Sequence, residues 1–218
     1  MEPNLFAYLA LLAWPLVSFS LFQTRPLAPA LSWTVLGGYL LLPVGAEIKF
    51  EMIPAFDKTS IPNLAAFAGC LLVARQPLRF WYGFGIPELL LLTLLMGPFI
   101  TSELNTDAVV VGGLVLPGVG HYDALSAVVG QFLFLLPFFL GRQFLRHADD
   151  SAETLRVLIV AGLIYSLPML FEIRMSPQLH TWIYGYFPHS FGQQMREGGF
   201  RPVVFLGHGL LVAFFIMT

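Results

Sequence analysis

Charged residues are scarce in this chain. They make up 11% of its 218 residues, whereas an ordinary soluble domain carries about 25%. So few charges cannot hydrate the surface of a water-soluble fold, and 57% of the residues are hydrophobic. The composition therefore predicts an integral membrane protein embedded in a lipid bilayer. A net charge of −2 offers no basic surface for nucleic acid.

Cysteine and the usual catalytic signatures are also missing. Cys70 is the only cysteine, so no disulfide within the chain and no cysteine-based metal site can form. His180 and His189 have no HExxH or CxxC companion, which disfavours zinc. The chain also lacks the phosphate-binding GxxxxGK[ST] pattern and the GxSxG pattern of serine hydrolases. We expect neither a metal nor another cofactor.

What the chain does have is long apolar runs. A spanning helix needs about 17–25 mostly apolar residues, and these runs predict an all-α, polytopic transmembrane bundle of about seven spans forming a single domain. The first run follows no basic segment and is too long for a signal-peptide core, so we expect it to be retained. The predicted spans are residues 4–22, 28–46, 60–74, 86–102, 124–141, 157–171 and a seventh from 202 that is still apolar at Thr218. Because a span seldom ends without a polar or aromatic anchor, we expect residues 1–218 to be the N-terminal part of a longer chain.

The connecting segments differ only slightly in positive charge. One set holds six basic residues and the other five; the first set is Arg25, Arg75, Arg79, Arg142, Arg146 and Arg156, and the second is Lys49, Lys58, Arg174, Arg196 and Arg201. Segment 103–123 has acids and no bases. By the positive-inside rule, segments 46–60, 102–123 and 172–201 and the N-terminus are predicted to lie outside the membrane.

Residues 108–120, AVVVGGLVLPGVG, are apolar but too short to span a bilayer. Two interpretations stay open. The segment is a buried loop with glycine turns, which we favour, or a re-entrant, interfacial or lid segment.

Polar groups concentrate in residues 171–209. This stretch holds three of the five histidines and carries Arg174, Arg196 and Arg201 on the predicted outer side. Positive charge placed there against the insertion rule is best explained by an anionic ligand. A guanidinium pairs with phosphate through two contacts and stays charged at any relevant pH.

Neighbouring side chains extend the candidate binding site. Trp182 and Tyr184 are suited to a sugar face or an isoprenoid chain, and His180 and His189 lie among them. The predicted seventh span places His208 about two turns inside an apolar helix, where an ionisable group is a functional candidate.

Structural explanations compete with each of these roles. Arg174 could form a helix-end ion pair with Glu172, and Arg201 could extend from a span to the interface. The aromatic rings could be an interfacial belt, and His180 and His189 ordinary loop residues. His208 could make a helix-to-helix hydrogen bond.

The motifs in this stretch resemble those of the O-antigen ligase and polymerase superfamily, in particular its exopolysaccharide-polymerase-like members. They are FEIRMSPQLH at 171–180, YGY at 184–186, HSFGQ at 189–193 and REGGFRPVVFLGHG at 196–209. The resemblance implies a multi-pass glycosyltransferase of the bacterial inner membrane. Such enzymes transfer or polymerise glycan from an undecaprenyl-diphosphate donor to an acceptor sugar, without a nucleotide sugar.

The resemblance also implies roles for single residues. It assigns binding of the donor diphosphate to Arg196 and Arg201, with Arg174 as a further candidate. It places the general base, a histidine, in a later loop beyond Thr218, which leaves His208 a weaker candidate.

Two other function classes remain open at this point. A transporter or flippase-like protein for an anionic lipid or solute would use Glu88, His208 and the arginines along a pathway. A non-catalytic membrane subunit would use segment 172–201 to bind a partner protein.

Overall fold

The computed structural model describes residues 2–50, 53–77 and 85–218. These residues are mostly α-helical, and the strands form two-stranded antiparallel hairpins. The helices are α1 Leu5–Thr24, α2 Leu27–Leu41, α3 Ser60–Ala68, α4 Ile86–Leu104, α5 His121–Phe144, α6 Ala148–Met175, α7 Leu179–Tyr184 and α8 Gly209–Met217. The strands are β1 Glu47–Phe50, β2 Ile53–Asp57, β3 Val109–Val111, β4 Leu114–Leu116, β5 Met195–Arg196 and β6 Gly199–Phe200. A π-helical turn, Gly69–Val73, extends α3.

Four helices in the described part of the chain are long and apolar enough to cross a membrane, namely α1, α4, α5 and α6. At 1.5 Å per residue, the 28 residues of α6 extend about 42 Å, more than the roughly 30 Å of a hydrocarbon core. Each of the four contains an internal proline, which membrane helices tolerate when neighbouring groups satisfy the freed carbonyls. The protein is therefore a membrane protein with a helical bundle.

The expectation of seven spans is met only in these four. The second predicted span, 28–46, ends as a helix at Leu41, because Pro43 disfavours helical backbone at Leu42 before it. The third is the 9-residue α3 plus its π-helical turn. Both are apolar helices shorter than a span. Both short helices pack against the long helices of the bundle.

The seventh predicted span does not begin at residue 202. Residues 201–208 are irregular, and α8 starts at Gly209. Side chains from distant elements bind the backbone of residues 203–205 and hold it out of a helix.

The helices place the connecting segments at two ends of the bundle. At the end that we call the upper end, the backbone N–H of Asn4 donates to Tyr184 O at 3.0 Å and Tyr184 Oη donates to Leu41 O at 2.5 Å. At the lower end, Ser32 Oγ lies 3.2 Å from Thr154 Oγ1. Glu88 and Arg142 form an ion pair there. The N-terminus and segment 172–201 thus share one end of the bundle.

Residues 108–120 contain the β3–β4 hairpin, so the favoured interpretation of this segment as a loop packed in the interior is wrong. All six strand residues of this hairpin are exposed. Three residues of the predicted connecting segments lie outside the described residues, namely Arg79 and residues 51 and 52 of the predicted outer segment 46–60.

Candidate functional site

The most unusual backbone in the polar segment is a loop at residues 202–208, which we call the buried loop. Val203, Val204, Phe205 and Leu206 are all buried although none is in a helix or strand. Val204 has φ +50°, a left-handed conformation that β-branched residues rarely adopt. Such backbone persists only where the surrounding structure holds it.

The Glu172 side chain, near the end of α6, holds the start of the buried loop. Its Oε2 accepts the backbone N–H groups of Val203 at 2.8 Å and Val204 at 2.7 Å. Its Oε1 accepts the N–H of Leu179 at 3.1 Å. The carboxylate therefore replaces the helical hydrogen bonds that these groups would otherwise need in an apolar environment. Among the described residues no ion pair joins it to Arg174, so the structure does not show the helix-end pair that was the alternative to a binding role for Arg174.

Lys58 and Tyr165 hold the next residue, Phe205. The Tyr165 Oη accepts the N–H of Phe205 at 3.1 Å, and Lys58 Nζ donates to the carbonyl oxygen of Phe205. Lys58 Nζ also donates to Leu42 O at 2.9 Å. Burial lowers the pKa of Lys58 to about 7. The buried loop is thereby fixed by side chains from segments that are far apart in sequence.

His180 and Tyr184, predicted to bind substrate, lie in the core instead of facing an open surface. The His180 Nδ1 donates to Tyr186 O at 2.8 Å, and its Nε2 accepts the N–H of Val44 at 3.3 Å. Burial lowers the pKa of His180 to about 4, so the ring is neutral at physiological pH. Both nitrogens of the His180 ring are occupied by backbone groups, and the Tyr184 hydroxyl is occupied by Leu41 O.

His208 is not inside a helix, which corrects the sequence-based placement. It is the N-cap of α8, and its Nδ1 accepts the N–H of Leu210 at 3.1 Å. The His189 ring lies 4.9 Å from it, centroid to centroid, and His189 Nδ1 accepts the N–H of Ser190 at 2.7 Å. Because each Nδ1 is an acceptor, the neutral rings carry their proton on Nε2. The pair is therefore arranged to donate hydrogen bonds from Nε2.

Arg201 is anchored beside this histidine pair. Its backbone N–H donates to Gln194 O at 2.8 Å. Its aliphatic stem covers Gly209, where an added Cβ would lie 2.1 Å from Arg201 Cδ. The arginine thus packs against the residue that follows His208, at the N-terminal end of α8, where the helix dipole adds positive potential.

Arg174 and Arg196 lie on neighbouring elements at the same end. The β6 strand runs against the last turn of α6, since a Cβ added at Gly199 would meet Ile173 O at 3.5 Å. Arg196 pairs with Gly199 across the β5–β6 hairpin, and its Nη1 donates to Gln193 O at 3.0 Å and Met195 O at 2.7 Å. Both side chains are exposed. Of the carboxylates the structure describes, none is within ion-pair distance of Arg174, Arg196 or Arg201.

Trp182 is the exposed aromatic residue among the predicted binding groups. It is 61% exposed, and its ring meets Phe171 edge-on at 5.7 Å between centroids. The indole Nε1 donates to Gln178 Oε1 at 3.1 Å. One face of the ring therefore remains available to lipid or ligand.

Sequence reasoning considered Glu172 only as a partner of Arg174 and gave no site role to Lys58 or Gln194. The signal for Glu172 was present, because an acid closing a long apolar helix is unusual. Lys58 and Gln194 gave no signal, since their burial depends on packing. Gln194 is fully buried, and its side-chain amide has no hydrogen-bond partner among the described residues. Its backbone carbonyl accepts the N–H of Arg201.

Comparison with known proteins identifies no relative. No family model, curated protein or solved structure matches the chain. Within the described residues, no group of three His, Cys, Asp or Glu side chains is placed to hold a metal ion. The site is thus defined by its own chemistry: three arginines without acidic partners in the part of the chain that the structure describes, two histidines with Nε2 protons, and one exposed indole.

Proposed function

We propose that this chain is part of a glycosyltransferase of the bacterial inner membrane, of the polysaccharide-polymerase or O-antigen-ligase type. Its donor would be a glycan linked to undecaprenyl diphosphate, and its acceptor another sugar. The motifs at residues 171–209 support the family, and the four long apolar helices support a multi-pass membrane location. In this proposal the two shorter apolar helices and α8 also lie within the bilayer, and segment 172–201 faces the periplasm.

The observation that carries the proposal is the set of arginines at the upper end. Arg174, Arg196 and Arg201 have no acidic partner among the described residues, whereas the nearby Glu172 is bound by backbone amides. Uncompensated guanidinium groups beside an apolar bundle suit an anionic lipid headgroup, and guanidinium geometry suits phosphate. A diphosphate that leaves during glycosyl transfer gains negative charge, which these groups would stabilise.

The individual roles follow from how each side chain is held. Arg201 is the primary diphosphate ligand, because its stem is fixed against Gly209. Arg174 and Arg196 are secondary ligands at the exposed rim. His189 and His208 donate from Nε2 to phosphate or sugar oxygens. Trp182 offers its exposed ring to a sugar or to the isoprenoid chain.

His180 and Tyr184 take a positioning role in this proposal. The Tyr184 bond joins α7 to the last residue of α2, and the His180 bond joins α7 to Val44 in the loop that follows. The resemblance assigns the general base to a later loop, and His208 Nδ1 is already an acceptor for Leu210 N–H. The transporter interpretation has less support, because Glu88 is ion-paired with Arg142 at the lower end.

Substitution of Arg201 in the full-length protein tests the proposal. Arg201→Ala should reduce glycan transfer by on the order of 10²–10³, by analogy with removal of one preorganised donor to a developing anion. Arg201→Lys should retain part of the activity, since it keeps the charge but loses the two-point contact. The assay follows polymer or ligated product formed in proteoliposomes from undecaprenyl-diphosphate-linked oligosaccharide.

The matched control is Arg156→Ala, which removes an exposed arginine at the lower end, paired there with Glu153. It should leave the rate unchanged. Equal rates for Arg201→Ala and the unsubstituted protein, with both folded by size-exclusion chromatography, would refute the diphosphate role. Lipid movement without a new glycosidic bond would favour the transporter interpretation instead.

A further inference from the structure

The β3–β4 hairpin is apolar on both of its faces. In its register, Val109 pairs with Leu116, Val110 with Val115 and Val111 with Leu114. Alternate pairs of a hairpin point to opposite faces, so Val110 and Val115 share one face and the other four residues share the second. All six are between 47% and 67% exposed. Neither face is packed against the rest of the described chain.

The turn and the base of the hairpin are well defined. Gly112 and Gly113 have φ values of +57° and +86°, the pair of positive φ angles that a tight two-residue hairpin turn requires. At the base, Val119 N–H donates to Asn105 O at 2.9 Å. A Cβ on Gly118 would lie 1.8 Å from Thr106 O, so the two arms approach closely there. The hairpin therefore projects from a closed base.

The exposure of both apolar faces decides which partner fits. A second protein, or a second copy of this chain, would cover one face or one edge of the hairpin and leave the other face in water. An isolated two-stranded hairpin is at best marginally stable in water. A lipid environment surrounds both faces at once, and α4 and α5, the candidate spans on either side, continue the same lipid-facing apolar surface.

The charge pattern and the size of the hairpin fix its depth. Segment 103–123 holds Glu103, Asp107 and Asp123 and no Lys or Arg, so attraction to anionic lipid does not contribute. Three residues per strand extend about 10 Å. The outward backbone groups of two edge strands need water or headgroups, which excludes the centre of the bilayer.

We propose that the β3–β4 hairpin inserts into the boundary between headgroups and acyl chains of the leaflet at the upper end. It is a fixed interfacial anchor between α4 and α5, on the same side of the bundle as the candidate site. This proposal is independent of the glycosyltransferase proposal, because it depends only on the hairpin and its flanking helices.

Spin labels in liposomes test the insertion. The full-length protein, carrying Cys70→Ala, receives one label at Val110→Cys on the first face or at Val111→Cys on the second. Relaxation by oxygen, which concentrates in lipid, should exceed relaxation by a water-soluble nickel chelate at both positions. The matched control is Asp107→Cys at the base, where the nickel effect should be the larger. Vesicles of phosphatidylcholine and of phosphatidylglycerol should both show the stronger oxygen effect on the hairpin and the stronger nickel effect at position 107.

Each alternative gives a different result, and any of them would overturn the proposal. Nickel dominance at both hairpin positions would place the hairpin in water. An immobile label shielded from both reagents on one face would indicate a protein partner or a second copy. In a further variant, Val110→Asp with Val115→Asp, the label at position 111 should change from oxygen to nickel dominance; no change would show that the apolar side chains do not hold the hairpin in lipid.

Discussion

Glu172 shows how a single side chain can be important without touching a ligand. Its carboxylate accepts three backbone N–H groups, from Leu179, Val203 and Val204. Hydrogen bonds to a charged group contribute about 1.5–3 kcal/mol each when they are intact, and an unpaired buried donor costs a similar amount. Glu172 thus stabilises the buried loop that presents Arg201 and His208.

Glu172→Gln should destabilise the protein. The amide keeps one acceptor oxygen but turns an NH₂ group toward backbone N–H donors, so at least one donor loses its partner. We expect a loss of about 1–3 kcal/mol in the free energy of unfolding, measured by thermal unfolding in detergent. Glu153→Gln is the control, because Glu153 lies on the same helix in an exposed pair with Arg156. Equal unfolding temperatures for the two variants would contradict the role assigned to Glu172.

At the scale of elements, glycine lets the short helices pack closely against their neighbours. A Cβ added to Gly38 on α2 would lie 2.3 Å from Pro62 Cγ on α3, and one added to Gly69 would meet the Phe22 ring of α1 at the same distance. Small residues allow such close approach between helices in membranes. Because α2 and α3 are too short to be held by the bilayer alone, their packing depends on these contacts.

Gly38→Ala should therefore disturb the contact between α2 and α3. Forcing extra volume into a packed interface costs about 1–3 kcal/mol, and the proline ring at this position cannot rotate away. Thermal unfolding of the purified protein measures the effect. Gly97→Ala, on α4, is the control, since an added Cβ there meets nothing within 4 Å. Because Ala favours a helix over Gly, a loss of stability at Gly97 as large as that at Gly38 would show that the contact with Pro62 is not responsible.

At the scale of the whole molecule, the fold separates two kinds of surface. The upper end carries Arg174, Arg196 and Arg201 around the buried loop. The lower end carries Arg142 with its partner Glu88 and the exposed pair Arg156 and Glu153. The four long helices lie between these ends. The proposed function requires that the upper end face the periplasm.

Cysteine labelling in cells tests this orientation. In a Cys70→Ala background, Glu197→Cys at the upper end should react with a membrane-impermeant maleimide in spheroplasts with an intact inner membrane. Asp149→Cys at the lower end should react only after that membrane is permeabilised. Both positions are exposed, so a difference between them reports the side of the membrane. The reverse pattern would place the arginines in the cytoplasm and remove the basis of the proposed function.

The sequence by itself determined the membrane character, the four long helices and the segment where polar groups concentrate. These are local properties, since apolar length and composition fix whether a stretch can cross a bilayer. The predicted limits of spans five and six lie inside longer helices, and span four matches the start of α4 at Ile86 but ends two residues early. Span one begins one residue before α1, at its N-cap Asn4, and ends two residues early.

Only the tertiary structure decided which polar side chains hold the fold and which remain free for a ligand. Lys58 and Phe205 are 147 positions apart, and His180 and Val44 are 136 apart, so no local pattern could pair them. Glu172, Tyr165 and Lys58 bind the backbone at the start of the predicted seventh span, which is a loop, and His208 caps α8. A hydrogen bond between distant residues depends on packing, and packing is the part of this protein that sequence periodicity does not specify.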